Sequence, residues 1–212
     1  MANSISQADS QTITEAKSGD LGEQGWLSAI WYATKNAVGA AGEAHLGEVG
    51  GRIANPTANV TRPADVTAYA SGDLVANSVT AGSVVPMSFV AARVSGGSLA
   101  IRRARLKKSA VSVTLATFRL HLYSILTTVT NGDNAAWASP HSGYLGSFDL
   151  DMAGTNGRAF SDSAGVAAAP AVGAELNVVA VVQTIYGLLE ARAGYTPASA
   201  EVFTVILECV QN

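Results

Sequence analysis

From about residue 60 onward, the pattern of apolar and polar positions is typical of short β-strands. In the segment FRLHLY (118–123), phenylalanine and leucine alternate with arginine, histidine and tyrosine. This two-residue period indicates a strand with one buried face. The final segment has the same period, because Phe203, Val205, Leu207 and Cys209 share one face of a strand. Both segments therefore predict strands that contribute to a common core.

Six further segments complete the predicted set of strands, and clusters of Gly, Asn, Asp, Ser and Pro separate them. Val84–Met87 contains Pro86, and we expect an edge strand there because proline cannot donate a ladder hydrogen bond. Short strands with no helix between them predict a mainly β fold, an antiparallel β-sandwich of jelly-roll type. The predicted strands are 74–77, 83–91, 99–108, 117–125, 144–150, 175–182, 184–192 and 201–210.

The N-terminal part differs in composition from the predicted sandwich. Residues 1–25 are polar, and we expect an extended arm held by another chain, with folding back onto its own domain as the alternative. Residues 26–41 place apolar side chains at helical spacing and predict a short helix. Its partner-facing candidates are Trp26, Ile30 and Trp31.

A glycine-rich stretch at residues 42–56 then reads as a linker. We therefore divide the chain into an N-terminal part, residues 1–58, for attachment and oligomerisation, and a sandwich domain, residues 59–212. Residues 26–41 pack either within one subunit or between subunits, and the sequence favours neither arrangement.

Positive charge is concentrated in the predicted strand 99–108. A two-residue alternation puts Ala100, Ala104 and Leu106 on one face of this strand. It puts Ile101 on the opposite face, whose other members are mostly charged. Cations on a strand are typical either of an edge that avoids unwanted pairing or of a docking surface for an acidic partner. Arg103, Arg105 and Lys107 are expected on one face, and Arg102 and Lys108 on the other.

Composition narrows the class of protein. Charged residues make up only 14% of the chain, which suits a surface packed against neighbouring proteins. The net charge of −3 argues against general nucleic-acid binding. No apolar run is long enough to span a membrane, and the N-terminus lacks a secretory signal. The lone Cys209 is expected as a small buried residue in a protein assembled in a reducing cytosol.

Candidate chemistry is sparse. His45, His121 and His141 are scattered, and no nucleophile elbow accompanies them. Asp149 and Asp151 precede an Asn-Gly pair but miss the spacing of a calcium loop, so a turn is the better interpretation. We therefore expect neither an enzyme, nor a metal site, nor a cofactor.

One loop offers a binding hypothesis. Asp133 and Asn134 lie close to Trp137, and an aromatic ring beside amide and carboxylate groups is typical of a sugar-binding corner. Loops of a β-sandwich commonly carry such sites. The segment 131–141 is therefore a candidate glycan-recognition loop.

Four segments carry a resemblance to a known family: TRPADVTAYASGDLVANS (61–78), FRLHLY (118–123), NGDNAAW (131–137) and GYTPAS (194–199). Over about residues 59–212 the chain resembles a family of small tailed-bacteriophage virion proteins. The resemblance implies a β-sandwich carried on the particle as an accessory protein of the capsid shell. It brings no catalytic residues.

These observations predict a capsid decoration or cement protein that binds and stabilises the lattice of the major capsid protein through its N-terminal arm. We expect a homotrimer on the capsid surface of the virion, assembled in the host cytoplasm, with neither nucleic acid nor membrane as partner. The alternatives are a receptor-binding or tail-fibre module that recognises host glycan, and a tail or connector component. The predicted partner-binding residues are Trp26, Ile30, Trp31, Arg102, Arg103, Arg105 and Lys107.

Overall fold

The computed structural model describes residues 51–110, 117–152 and 176–211. The predicted arm and helix, with Trp26, Ile30 and Trp31, lie outside the described residues. The described chain forms ten strands: β1 (Arg52–Ala54), β2 (Thr57–Thr61), β3 (Leu74–Val75), β4 (Met87–Val90), β5 (Ser98–Lys108), β6 (Thr117–Tyr123), β7 (Tyr144–Asp151), β8 (Leu176–Val179), β9 (Thr184–Ala191) and β10 (Val202–Gln211).

The strands form two five-stranded antiparallel sheets. The first sheet has the order β1-β10-β5-β8, and β2 also pairs with β10. The second sheet has the order β3-β9-β6-β7, and β4 also pairs with β9. The predicted mainly β, antiparallel fold is thus confirmed, and no helix occurs in the three described ranges.

Each of the eight predicted strand segments overlaps an observed strand, whereas β1 and β2 were not predicted. Their sequences, RIA and TANVT, carry too few apolar residues to show a period. They become strands because β10 offers them a free edge, pairing Arg52–Ala54 and Thr57–Thr61 with its two halves. Strand pairing in the first sheet therefore begins before residue 59, the predicted start of the sandwich.

The main core lies between the two sheets. The inward side chains of β6, Phe118, Leu120 and Leu122, are at most 1% exposed. They share a cluster with the inward residues of β10, among them Phe203 and Leu207. The period-two prediction for both strands is confirmed, because alternation along a strand decides which side chains leave water.

The predicted parity of β5 is wrong at its N-terminal half. Ile101 is fully buried rather than on the charged face. The cause is a β-bulge at Arg102: Glu208 pairs with Arg103, but the next residue, Cys209, pairs with Ile101. The extra residue shifts the alternation by one position, so apolar side chains on both sides of the bulge point into the core.

A smaller apolar cluster covers part of the outer face of the second sheet. Tyr123 and Leu188 project from the sheet, and Val84 and Val129 from the connections before β4 and after β6 pack over them. Trp137 packs against the edge of this cluster. These connections are thereby held against the sheet.

The strand after Pro86 lies at a sheet margin. β4 begins at Met87 and, among the described strands, pairs only with β9, as the proline predicted. The described residues include no helix long and apolar enough to cross a membrane.

Candidate functional site

The outer face of the first sheet holds most of the predicted basic residues. Arg103 is exposed and Arg105 and Lys107 are half-buried on this face. Arg102 is exposed in the bulge, whereas Lys108 is 1% exposed on the inner face. The predicted separation of Arg103, Arg105 and Lys107 from Lys108 is confirmed. The predicted grouping of Arg102 with Lys108 is wrong, because the bulge leaves Arg102 exposed.

Pairing between β5 and β10 determines which β10 residues lie beside these cations. Arg103 lies opposite Glu208, and Arg105 lies opposite Ile206. Directly opposed residues of an antiparallel pair project to the same side of the sheet. The outer face is therefore a continuous surface built from distant parts of the chain.

Apolar side chains occupy the other end of this surface. Ile53 of β1 lies opposite Val210 and is 72% exposed. Val179 of β8 lies opposite Ser98 and is 61% exposed. We call the surface formed by Ile53, Arg103, Arg105, Lys107, Val179, Ile206, Glu208 and Val210 the basic–apolar face.

The charges of the basic–apolar face are only partly neutralised. Glu208 lies between two guanidinium groups, 3.5 Å from Arg103 Nε and 3.2 Å from Arg105 Nε. The side chains remain 28% to 54% exposed, so these ion pairs contribute only about 0–1 kcal/mol each. With Lys107, the face keeps a net positive charge that complements an acidic surface.

Strand β5 is bordered by β10 along most of its length and by β8 only at Ser98–Ile101. Among the described strands, none pairs with Arg102–Lys108 on the side opposite β10. The cations thus lie both on an outward face and along a strand margin, where charge also discourages unwanted pairing. Both predicted interpretations of the basic stretch fit this position.

The segments 61–78 and 131–137 meet in a buried polar network that the sequence did not indicate. Arg62 donates from Nη2 to Asp133 Oδ2 at 3.0 Å, and both side chains are fully buried. Tyr69 OH and the backbone N–H of Ala76 each donate to Asp133 Oδ1 at 2.7 Å. Arg62 Nε also donates to Tyr69 OH. The network ties the segment 61–78 to the turn 131–137.

A second buried network uses the segment 194–199. Lys108 Nζ donates to Glu201 Oε1 at 3.3 Å and to Tyr195 OH at 3.1 Å. Tyr195 OH donates to Glu201 Oε2 at 2.5 Å. Tyr69 and Tyr195 join the two networks, since their rings stack at 6.5 Å and their backbones exchange hydrogen bonds.

Both networks connect distant segments of the chain through buried hydrogen bonds. Burial raises the pKa of Tyr69 and of Tyr195 well above the usual value for tyrosine. Each phenol therefore stays protonated and acts as a fixed hydrogen-bond donor to a carboxylate. The side chains of the pairs Arg62–Asp133 and Lys108–Glu201 are at most 1% exposed, and Arg62 has a second, partly exposed partner in Asp65.

The predicted sugar-binding corner at Asp133 and Asn134 is wrong in one essential part. The Asp133 carboxylate is buried and fully occupied by Arg62, Tyr69 and Ala76. Local sequence placed this carboxylate in a polar turn, but its partners lie 57 to 71 residues away in the chain. Trp137 remains half-buried at the surface.

Two other candidates are placed by the structure. Cys209 is completely buried in the core, as predicted, and burial raises the pKa of its thiol to about 12. Within residues 51–110, 117–152 and 176–211, His, Cys, Asp and Glu side chains form no group of three suited to hold a metal ion.

No family model matches the chain, and no curated protein matches it.

Proposed function

We propose that the protein is a bacteriophage virion structural protein, specifically a capsid decoration or cement protein. The basic–apolar face carries this proposal. Exposed Ile53 and Val179 supply apolar area, and Arg103, Arg105 and Lys107 supply a cationic margin. A protein interface typically joins an apolar centre to a polar rim, with arginine enriched. The proposed occupant is an acidic and apolar surface of the major capsid protein.

We propose further that the sandwich is a jelly roll. The strand orders β2-β10-β5-β8 and β4-β9-β6-β7 support this. Among these eight strands, each strand is followed by one in the other sheet, except that β7 follows β6 in the same sheet. Jelly rolls occur in viral capsid and lectin domains, so the topology is compatible with a virion protein without assigning a role by itself.

A decoration protein stabilises the capsid lattice by burying surface against several capsid subunits at once. A protein that binds the closed shell better than the open one shifts the equilibrium toward the closed shell. A homotrimer would present three copies of the basic–apolar face at fixed spacing and gain avidity from simultaneous contacts. We assign attachment to the polar N-terminal arm as well, and we propose no catalytic activity.

Localisation is the first test. Antibody against residues 59–212 is used for immunogold labelling of virions of the phage that encodes the chain. Gold distributed over the head supports decoration. Gold confined to the tail tip would instead favour receptor recognition, and gold at the neck or along the tail a connector or tail component. Unlabelled particles would contradict the virion assignment.

A second test addresses the surface itself. The triple variant Arg103→Gln, Arg105→Gln, Lys107→Gln is compared with Arg52→Gln, which removes an exposed cation of β1 outside the face. Binding to undecorated heads is measured at low and high salt. We expect at least about a tenfold loss for the triple variant alone, and a weaker salt dependence. Equal binding by both variants would contradict the assigned face.

The contribution of the arm is tested by deleting residues 1–25. We expect the truncated protein to lose head binding while retaining the β-rich circular dichroism spectrum of the full chain. Normal decoration by the truncated protein would contradict attachment through the arm.

A further inference from the structure

The outer face of the second sheet carries a row of polar and aromatic side chains that the proposed capsid contact does not use, and of these Tyr123 lies within the smaller apolar cluster at 2% exposure. Three outward positions of β6 lie opposite three of β7: Arg119 opposite Asp149, His121 opposite Ser147, and Tyr123 opposite Tyr144. From the rise per residue, this row extends about 14 Å along β6. It runs from charged groups at one end to aromatic rings at the other.

The charged end borders an open cleft of about 340 Å³. Arg119 donates to Asp149 through two hydrogen bonds, from Nε at 2.6 Å and from Nη2 at 3.0 Å. The Asp149 side chain is nevertheless 67% exposed, so its carboxylate retains lone pairs for a ligand. Asp151 and Arg192 line the same cleft.

The aromatic end is held in place by its own contacts. The His121 ring stacks on Trp137, with centroids 4.1 Å apart. His121 Nε2 lies 2.8 Å from Glu190 Oε2 and Nδ1 lies 3.3 Å from Tyr144 OH. The backbone N–H of Trp137 donates to the carbonyl of Gly72 at 2.7 Å. These bonds fix the orientation of the rings before any ligand arrives, which reduces the entropy lost on binding.

We infer that the surface running from the cleft, at Arg119 and Asp149, to the aromatic end, at His121, Trp137 and Tyr144, binds a neutral oligosaccharide. Sugar hydroxyls both donate and accept hydrogen bonds, and this surface offers planar donor and acceptor groups side by side. Aromatic ring faces carry partial negative charge and accept the C–H side of a sugar ring. The cleft is lined by two cations, Arg119 and Arg192, and two carboxylates, Asp149 and Asp151, which disfavours a strongly charged ligand. The site lies on the opposite sheet from the basic–apolar face, so it does not depend on the proposed lattice contact.

The test measures binding of the full-length protein to an array of neutral oligosaccharides ending in glucose, galactose, mannose or N-acetylglucosamine. Saturable binders are then titrated by calorimetry against the wild type, Asp149→Asn and Glu208→Gln. Glu208→Gln is the matched control, because it makes the same carboxylate-to-amide change at an arginine-paired residue of the other sheet. We expect Asp149→Asn to weaken binding about tenfold or more and the control to bind as the wild type does.

A spectroscopic signal separates this site from any other. The indole N–H resonance of Trp137 is expected to shift on saccharide addition in the wild type and in the control. The inference is overturned if no neutral saccharide binds saturably, if Asp149→Asn and Glu208→Gln bind alike, or if the Trp137 resonance does not respond. Capsid binding is measured separately, so either proposal can fail while the other stands.

Discussion

Substitution of Asp133 by asparagine tests the central buried network. The side chains of Asp133 and Arg62 are both fully buried, and the two carboxylate oxygens receive hydrogen bonds from Tyr69, Ala76 and Arg62. Asparagine has nearly the same shape but only one accepting oxygen. In one amide orientation, its NH₂ group faces the backbone N–H of Ala76 and leaves that donor without an acceptor. In the other it faces Arg62 Nη2, which then keeps only Asp65 Oδ1 as an acceptor.

The magnitude follows from burial. Removing one partner of a buried ion pair costs about 3–5 kcal/mol when the other charge is left uncompensated. Arg62 keeps a second partner, the 35% exposed Asp65 at 3.2 Å, so the expected loss lies toward the lower end of this range. The matched control is Asp149→Asn, which makes the same chemical change in an arginine pair whose carboxylate is 67% exposed. An exposed pair of this kind contributes about 0–1 kcal/mol. We therefore expect the two variants to differ by about 2 kcal/mol or more in the free energy of unfolding.

Urea denaturation followed by circular dichroism measures this difference, with the transition midpoint and the m-value fitted for each variant. For a domain of this size, each kcal/mol lowers the Tm by about 2–4 °C. A loss below about 1 kcal/mol for Asp133→Asn, or equal losses for the two variants, would refute the reasoning. It would mean that the network is hydrated or rearranged in solution.

Three further predictions concern single positions. Burial lowers the pKa of His121 in the folded protein, so near and below about pH 6.5 the unfolded chain binds more protons than the folded one, and stability falls as the pH falls. The urea midpoint should therefore decrease less between pH 8 and pH 5.5 for His121→Gln than for the wild type. In Gly132→Ala, the new Cβ would lie 2.0 Å from the backbone oxygen of Val79. The control Gly82→Ala meets no neighbouring atom and costs only positive-φ strain, about 1–2 kcal/mol. Urea denaturation should therefore show a larger loss of unfolding free energy for Gly132→Ala than for Gly82→Ala. The thiol of Cys209, fully buried with a pKa of about 12, should react with a thiol reagent only after unfolding, and rapid labelling of the native protein would contradict its burial.

Several residues of the buried networks lie in segments on which the resemblance to virion proteins is based. Arg62, Tyr69, Asp133 and Tyr195 all come from segments that carry the resemblance, and they meet in one connected network. These residues stabilise the fold, since each forms a hydrogen bond with a buried partner. The proposed saccharide site also draws on two of these segments, through Arg119 and His121 of 118–123 and Trp137 of 131–137, whereas the basic–apolar face draws on other parts of the chain.

Alternation of apolar and polar residues by itself determined the mainly β, antiparallel fold and the inward faces of β6 and β10. It succeeds because the two-residue period is a local property that directly separates a buried from an exposed face. The same reasoning located the outward cations Arg103, Arg105 and Lys107, since no register shift occurs between them.

Only the tertiary structure decided the rest. The bulge at Arg102 buries Ile101, because pairing with β10 admits one extra residue there. The burial of Asp133 depends on Arg62, 71 residues away. Ile53 and Val179 reach the basic–apolar face because β1 pairs with β10 and β8 pairs with β5. Register and long-range partners are set by contacts between distant segments, and no local pattern in the sequence records them.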